Sequence, residues 1–336
     1  MTRTIYLTQD NGVLGRNGEG FSWRRSRKEP PEKIPNTNLG DVVVVGNGSI
    51  TTPALHLLMD RNIPVHFVSS GGRYKGSLTS GMGHGYELRR AQYDSALSED
   101  RSLDFARAFV VGKVLNQRQT LTRFMYRRPG GGEVFEDAAR ELAILAREAS
   151  GSSCLEALRG TEGNAARIYF SVLGNALIAP WRFDGRTRRP PRDPVNALLS
   201  FAYTLLLGRV TTAVVTVGLD PCVGWLHPAY RGRPSASLDL MEEFRSAVVD
   251  RLVISILNQG FLSENHFSAG EGGGVRMAQS AREKLMRLFK ERLRTEVVNS
   301  SNSHSSSYEN HIFAQAQSLA RSIRDGDSYL PFVLKL

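Results

Sequence analysis

The sequence predicts an α+β fold in which a small β-rich N-terminal domain with one short helix is joined by a hinge to an all-helical domain. Short β-branched runs and glycine turns dominate roughly the first quarter of the chain. From about residue 86 onward, apolar residues recur at helical spacing instead. Because the strand pattern stops within 84–95, we place the boundary between a domain of residues 1–88 and a domain of residues 89–336.

The elements of the N-terminal domain follow from local composition. The consecutive valines Val42–Val45 are typical of a buried strand. Leu55, Leu58 and Met59 lie at helical spacing and predict the single short helix at 53–61. Further apolar runs predict strands at 5–7, 64–68 and 73–78.

The second domain is predicted to consist of helices. The segment from Asp193–Pro194 to Val217 is strongly apolar and has proline where the first turn of a helix tolerates it, so we expect it to be the central helix. The polar segment 299–307, NSSNSHSSS, is typical of a mobile loop. The other predicted helices span 100–127, 134–149, 161–178, 237–257, 276–297 and 309–324.

The composition restricts the class of protein. The 336 residues suffice for two domains and at least one sizeable core. The chain contains 43 Lys and Arg but 33 Asp and Glu, which gives a net charge of +10 and a pI near 9.8. Such an excess favours a polyanionic partner, either nucleic acid or, less often, an acidic membrane surface.

The cysteines and the apolar runs exclude further classes. Cys154 and Cys222 are the only cysteines, so neither a disulfide framework nor a thiolate zinc site is expected. Both have apolar neighbours and are predicted to be buried, reduced thiols. The first 30 residues lack an apolar leader and no uninterrupted apolar run approaches 18 residues. We therefore expect a soluble, cytoplasmic protein without a membrane partner.

The stretch 224–249 carries the strongest indication of a site. His227 precedes a helix that we expect to begin with Ser237 as its cap, and Asp239 and Glu242 lie three residues apart on that helix. Residues at this spacing project from one side, so a nitrogen ligand and two oxygen ligands can converge. This set suits Mn²⁺ or Mg²⁺ more than Ca²⁺. The alternative is that the carboxylates merely offset the dipole at a helix N-terminus.

A third ligand from elsewhere in the chain would decide between these interpretations, and Glu162 is the best candidate. It is expected at the start of the helix 161–178, with Thr161 as its cap. Gly163 and the alanines that follow it leave room for a ligand to approach. The alternative is an ordinary surface glutamate at a helix start.

Several long motifs resemble those of a known family, the CRISPR-associated integrases of the adaptation machinery, called the "Cas-one" family. The resemblance covers nearly the whole chain. It is carried by RRAQY (89–93), GTEGNAARIYF (160–170), DPVNALLSFAYTLL (193–206), GLDPCVGWLH (218–227) and SLDLMEEFRSAVVDR (237–251). The resemblance implies a β-rich domain that forms a homodimer, a hinge, and a helical catalytic domain. It also implies a small companion protein, "Cas-two", that bridges the dimers.

The resemblance also implies a metal site. Glu162, His227 and Glu242 fall on the family's metal ligands, with Asp239 as a neighbour or co-ligand. The implied reaction inserts short foreign double-stranded DNA into a CRISPR repeat array, by attack of a 3′-hydroxyl on a phosphodiester with Mg²⁺ or Mn²⁺. Two alternatives remain, namely a structure-selective nuclease that does not integrate DNA and a non-catalytic DNA-binding scaffold.

A DNA-joining protein that accepts varied sequences must hold its substrate by the phosphates, which Lys and Arg contact without sequence specificity. Arg231 and Arg233 are the strongest candidates because they bracket a glycine close to His227. The alternative for each candidate is a solvated surface charge. The remaining candidates are Arg89, Lys113, Arg118 and Arg245.

Overall fold

The computed structural model of the protein describes residues 3–7, 12–26, 29–34, 39–69, 74–78, 85–127, 132–230 and 232–335. The α+β class is confirmed, with eight strands among the described N-terminal residues and a mostly helical remainder. Two separate hydrophobic cores accompany this division. The smaller core joins the N-terminal strands to their helix, whereas the larger one extends from Leu103 to Leu334.

The N-terminal strands form two four-stranded sheets. In order, they are β1 Arg3–Leu7, β2 Val13–Asn17, β3 Gly20–Arg24, β4 Glu32–Ile34, β5 Leu39–Val45, β6 Ser49–Ile50, β7 Val65–Val68 and β8 Tyr74–Leu78. One sheet has the order β1-β5-β7-β8 and the other β4-β3-β2-β6. The predicted short helix is α1, Thr52–Asp60, and its Leu57 and Leu58 are buried in the smaller core. Val42 and Val44 of β5 are buried in this core as predicted, and both are almost fully inaccessible.

The remaining helices are α2 Tyr86–Leu97, α3 Glu99–Arg127, α4 Glu133–Ser150, α5 Leu155–Leu173, α6 Pro194–Thr216, α7 Ser235–Met241, α8 Arg251–Asn258, α9 Gln279–Leu293 and α10 Tyr308–Asp325. The predicted central helix is confirmed as α6. Asp193 caps it by accepting a hydrogen bond from the Asn196 backbone N–H at 2.8 Å. Its length and composition would also allow a membrane crossing, but 67% of its most apolar window is buried within the protein, as in a core helix.

The C-terminal region is not all-helical, because two short hairpins interrupt the helices. They pair β9 Phe267–Ala269 with β10 Val275–Met277, and β11 Glu296–Val298 with β12 Ser305–Ser307. The prediction of a mobile loop at 299–307 is therefore wrong. Asn299 forms a β-bridge with Leu334, and the Ser307 hydroxyl caps α10 by accepting from the Asn310 backbone N–H at 3.2 Å. Contacts with the C-terminal segment and with α10 thus fix the structure of a serine-rich stretch that has no local strand or helix signal.

The two cores are joined by a buried histidine. His66 of β7 contacts the Ser77 hydroxyl through Nδ1 at 2.6 Å and the Thr216 hydroxyl of α6 through Nε2 at 2.9 Å. Burial lowers the pKa of His66 to about 4, so the ring is neutral.

The predicted boundary between residues 88 and 89 falls inside α2, and residues 79–84 of the hinge region lie outside the described residues. The division at that position stays a prediction.

The prediction that both cysteines are buried is wrong. Cys154 and Cys222 are exposed free thiols. Cys154 is the N-cap residue of α5 and Cys222 lies in the turn before the His227 loop. Apolar neighbours in sequence did not bury these side chains because both positions lie outside regular helices.

Candidate metal centre

Three distant parts of the chain meet at the ammonium group of Lys113. Lys113 lies in α3, and its side chain is only 7% exposed. Its Nζ forms an ion pair with Glu162 of α5 and lies 2.8 Å from Oε2 of Glu242, directly after α7. The structure therefore brings two of the three predicted ligands together around one positive charge.

Glu162 lies in the interior of α5 rather than at a helix start. The helix begins at Leu155, and the Thr161 hydroxyl donates to the Ala157 carbonyl instead of capping. The side chain of Glu162 is 28% exposed, and a Cβ added at Gly163 would meet no atom within 4 Å. The space that was predicted next to Glu162 is therefore present, so a ligand can reach its carboxylate. The predicted helix start at Thr161 is wrong.

The loop that carries His227 is attached to the helix that carries Glu162. Arg159 lies one turn before Glu162 on the same side of α5. Its guanidinium donates to the Leu226 carbonyl from Nε at 3.1 Å and from Nη2 at 2.7 Å. This contact holds the residue next to His227 against α5. Arg159 has a role at the site that its position in the sequence did not indicate.

Asp239 holds His227 and its loop. The Asp239 carboxylate is fully buried, and Oδ1 accepts from the backbone N–H of His227 at 3.0 Å and contacts the ring Nδ1 at 2.6 Å. Oδ2 accepts from the backbone N–H groups of Trp225 and Leu226. A Cβ at Gly224 would lie 2.6 Å from Oδ2, so this approach requires glycine. Both oxygens of Asp239 are occupied, so it orients the histidine and leaves Nε2 for a ligand.

The predicted continuous helix 237–257 is wrong, and so is its Ser237 cap. Residue 234 is the N-cap of α7, Ser237 is buried inside the helix, and α7 ends at Met241. The π-helical turn Arg245–Asp250 then leads into α8. Such turns are rare and occur frequently at functional sites. Asp239 and Glu242 lie before this turn and contact different partners, His227 and Lys113 respectively.

Glu242 is kept ionised by its surroundings. Burial alone would raise the pKa of this carboxyl, which is 3% exposed. The cations of Arg245 and Lys113 outweigh burial and, together with His227, lower the pKa of Glu242 to about 2. Glu242 is therefore available as an anionic ligand at any physiological pH.

The adjacent Glu243 binds the C-terminal segment and does not contact Lys113, unlike Glu162 and Glu242. Its buried carboxylate accepts from the Tyr329 hydroxyl and from the Phe332 backbone N–H, each at 2.7 Å. Burial raises the pKa of Glu243 to about 8. Asn116, one turn after Lys113, donates to the carbonyls of Glu243 and Phe332. The C-terminal segment thus contacts α3 through Asn116 and the backbone next to Glu242 through Glu243. The sequence did not predict these contacts.

A second buried acid, Asp250, lies behind the site. The hydroxyls of Tyr169 and Tyr203 donate to its two carboxylate oxygens, and the Arg245 guanidinium stacks on the Tyr203 ring at 4.6 Å. Tyr169 is on α5, two turns after Glu162. Burial raises the pKa of Asp250 to about 6. This network joins α5, α6 and the π-helical turn.

Asp250 is expected to make the stability of the protein depend on pH. Its pKa is higher in the folded than in the unfolded state, so the folded state binds more protons between about pH 4 and pH 6. The free energy of unfolding should fall as pH rises through that window, by up to about 3 kcal/mol. Asp250→Asn should remove this part of the slope. Urea unfolding of both proteins from pH 4 to 7 tests this, and parallel curves would contradict it.

The structure also locates the predicted DNA-contacting residues. Lys113 is buried and paired with carboxylates rather than exposed on the surface, and its contact with DNA phosphate stays a prediction. Arg245 is 19% exposed and pairs with Glu242 at 3.4 Å. Arg89 is exposed and donates to the Gly218 carbonyl at 3.1 Å. Arg118 and Arg233 are half-buried, and Arg231 lies outside the described residues.

The chemistry of the donor set fits a divalent cation. Within the described ranges, no three His, Cys, Asp or Glu side chains already stand as a ready metal site. However, Glu242 Oε2 is buried, and its partner among the described residues is the Lys113 ammonium group at 2.8 Å. A cationic group thus already lies between Glu162 and Glu242. A histidine whose Nδ1 faces a carboxylate is the usual arrangement of a metal-ligating imidazole.

Comparison with known proteins gives the family. The model of the family described as "CRISPR associated protein Cas1" matches residues 5–291. The chain belongs to the Cas1 family. It is 39% identical over 331 residues to "CRISPR-associated endonuclease Cas1 1" of Thermus thermophilus, covering 98% of this chain and 99% of that protein. It is 37% identical over 336 residues to "CRISPR-associated endonuclease Cas1 1" of Chlorobaculum tepidum, covering 98% of each. The resemblance stated from the motifs is confirmed.

A solved structure of a Cas1-containing assembly has the same fold. The match is to a chain of a "Partial Cas6-RT-Cas1--Cas2 complex", with a TM-score of 0.79, 25% identity and 99% coverage of both chains. Both the strand-rich N-terminal region and the helical remainder of this Cas1 protein are therefore covered by one known architecture.

Proposed function

We propose that this Cas1 protein is a metal-dependent DNA endonuclease and integrase that inserts short foreign DNA into a CRISPR repeat array. The observation that carries the proposal is the convergence of Glu162 and Glu242 on one ammonium group, beside a histidine held by Asp239. Membership of a family whose relatives are named CRISPR-associated endonucleases supports it.

The residues that would hold the ion are Glu162, Glu242 and Nε2 of His227. Oxygen and imidazole ligands together suit Mg²⁺ or Mn²⁺. A bound ion of this kind neutralises charge on phosphate oxygens and favours ionisation of an attacking hydroxyl. Asp239 fixes the imidazole by its contact with Nδ1, and Lys113 keeps two like-charged carboxylates close together.

The proposed reaction exchanges one phosphodiester for another. The 3′-hydroxyl of the incoming DNA gives its proton to solvent as its oxygen attacks phosphorus in the repeat. The bond from that phosphorus to the repeat's own 3′-oxygen breaks, and the released 3′-oxygen takes up a proton from solvent. Negative charge increases on the non-bridging oxygens as the bonds change. Lys113 and Arg245 place positive charge beside the carboxylates, where such charge stabilises the transition state.

The DNA and protein partners follow from charge and from the family. The net charge of +10 favours double-stranded DNA as substrate, held at its phosphates by Arg89, Arg118, Arg231 and Arg233. A homodimer would supply two active sites for the two joining steps. We propose Cas2 as companion because the similar solved chain belongs to a Cas1–Cas2 assembly. The protein would act in the prokaryotic cytoplasm and without a membrane.

An integration assay tests the proposed function. The protein, Cas2 and a short DNA with 3′-hydroxyl ends are incubated with a supercoiled plasmid that carries the repeat array. We expect joined products with Mg²⁺ or Mn²⁺ and none with EDTA. Cleavage without any joined product would instead establish the structure-selective nuclease. Unchanged activity in His227→Ala would establish a role as a scaffold.

A further inference from the structure

Glu162 and Glu242, which meet at Lys113, form an acidic cluster. A cavity lined by three arginines lies apart from it. Its volume is about 290 Å³, and it lies between the ends of α3, α8 and α9. Arg123 comes from the last turns of α3, Arg251 begins α8, and Arg292 lies near the end of α9. None of the described residues that line it is Asp or Glu. The neutral lining residues include Phe124, Ile178 and Asn258.

Arg251 is the central residue of this cavity. It is 8% exposed, so more than nine-tenths of the residue is buried. Its Nη2 donates to the Gln119 carbonyl at 3.0 Å, but its Nε donates to no residue that the structure describes. Burial, together with the nearby charges of Arg123 and Arg292, lowers the pKa of Arg251 to about 10. The side chain is therefore charged at neutral pH and repelled by its neighbours.

Arg292 is held so that it faces the same space. Its Nη2 donates to the Ala247 carbonyl at 2.6 Å and to the Tyr308 hydroxyl at 3.1 Å, and its guanidinium lies over the Tyr308 ring. Its Nε is also buried without an acceptor among the described residues. Arg123 is exposed and lies at the mouth of the cavity. Two fixed guanidinium groups inside and one at the entrance form a positively charged, open pocket.

We propose that this arginine cavity binds a phosphate group. Grouping guanidiniums at a cavity whose described lining holds no carboxylate costs free energy, and an anionic ligand offsets that cost. Arginine is suited to phosphate because its planar fork donates two parallel hydrogen bonds. The volume is at the lower end for a small-molecule site and accommodates a phosphate with part of an attached nucleoside. Phe124 and Ile178 supply an apolar wall for that part.

The cavity lies close enough to the acidic cluster for one nucleic-acid strand to reach both. Arg123 follows Lys113 by ten residues on α3, which corresponds to about 15 Å along the helix axis. A nucleic-acid strand in the acidic cluster could therefore place a phosphate a short distance along its length in the arginine cavity. A free nucleotide would use the same phosphate chemistry. Binding of phosphate as such does not rest on the proposed integrase activity, since none of the three arginines belongs to the acidic cluster.

The test measures binding by calorimetry with the full-length protein in EDTA, so that no divalent ion contributes. The two probes are thymidine 5′-monophosphate and a decathymidylate with a 5′-hydroxyl. We expect Arg251→Gln and Arg123→Gln each to weaken binding of the preferred probe by about tenfold or more. Preference for the mononucleotide assigns the cavity to a terminal phosphate, and preference for the decamer assigns it to a strand backbone.

Two matched variants serve as controls. Arg282→Gln removes the same charge from an exposed position of α9 outside the cavity, and Glu156→Gln removes a charge from an exposed position of α5. Both should bind the probes as the wild-type protein does. Failure of the wild-type protein to bind either probe, wild-type affinity in both cavity variants, or an equal loss in Arg282→Gln would each overturn the proposal. If Arg251→Gln does not fold, the exposed Arg123→Gln decides the outcome alone.

Discussion

Glu162→Gln is expected to lower the rate of DNA joining by about a thousandfold, the effect of removing a group that stabilises transition-state charge. The substitution keeps the size of the side chain and removes one of the two carboxylates that meet at Lys113. Because Glu162 is 28% exposed and Lys113 retains Glu242 as a partner, the fold should be preserved. The loss should therefore concern metal binding and chemistry alone.

The integration assay at saturating Mn²⁺ measures this effect, with thermal unfolding as the test of folding. Glu156→Gln is the matched control, since Glu156 is an exposed glutamate two turns earlier on α5. The control should join DNA at the wild-type rate. A Glu162→Gln protein that joined DNA at a rate close to the wild-type rate would show that this carboxylate does not hold the ion, and the proposed site would be wrong.

Asp239→Asn is expected to have the second large effect, by releasing His227. The carboxylate accepts from three backbone N–H groups and faces Nδ1 of the ring. Asparagine offers one oxygen, and its NH₂ group would face donors within a fully buried site. We expect the apparent affinity for Mn²⁺ to fall by about 10- to 100-fold. The free energy of unfolding should also fall, by about 2–4 kcal/mol.

The joining rate measured as a function of Mn²⁺ concentration separates these effects. In the proposed site Asp239 would orient a ligand without holding the ion. High Mn²⁺ should then restore much of the rate of Asp239→Asn, whereas it should not restore that of Glu162→Gln. Asp184→Asn provides the control, because Asp184 is exposed in the loop before α6. If Asp239→Asn had the same Mn²⁺ dependence as the wild-type protein, the orienting role would be refuted.

The acidic residues after Pro234 show how closely spaced side chains can serve separate purposes. Asp239 fixes the histidine loop, Glu242 faces Lys113, and Glu243 anchors the C-terminal segment. The sequence pattern had predicted one unbroken helix over 237–257. The helix instead ends at Met241 and resumes through a π-helical turn. Buried partners from three different parts of the chain stabilise that irregular backbone.

Much of the helical architecture was predictable because its signals are local. The apolar repeat of α3 and the Asp–Pro start of α6 predicted both helices to within a residue or two. The start of α5 was missed because Thr161 resembles a cap, although the helix begins six residues earlier at Leu155. The hairpin that pairs 296–298 with 305–307 was missed because its second strand consists of serines and carries no local strand signal.

The sequence by itself determined the α+β class, the family and the identity of the side chains at the candidate site, since each of these is contained in local patterns and motifs. Only the tertiary structure decided which groups face one another. Lys113 looked like a surface cation and proved to be the buried partner of Glu162 and Glu242. The arginine cavity is likewise formed by residues far apart in sequence. The physical reason is that electrostatic and hydrogen-bond partners are set by distance in space, which the order of residues along a chain does not specify.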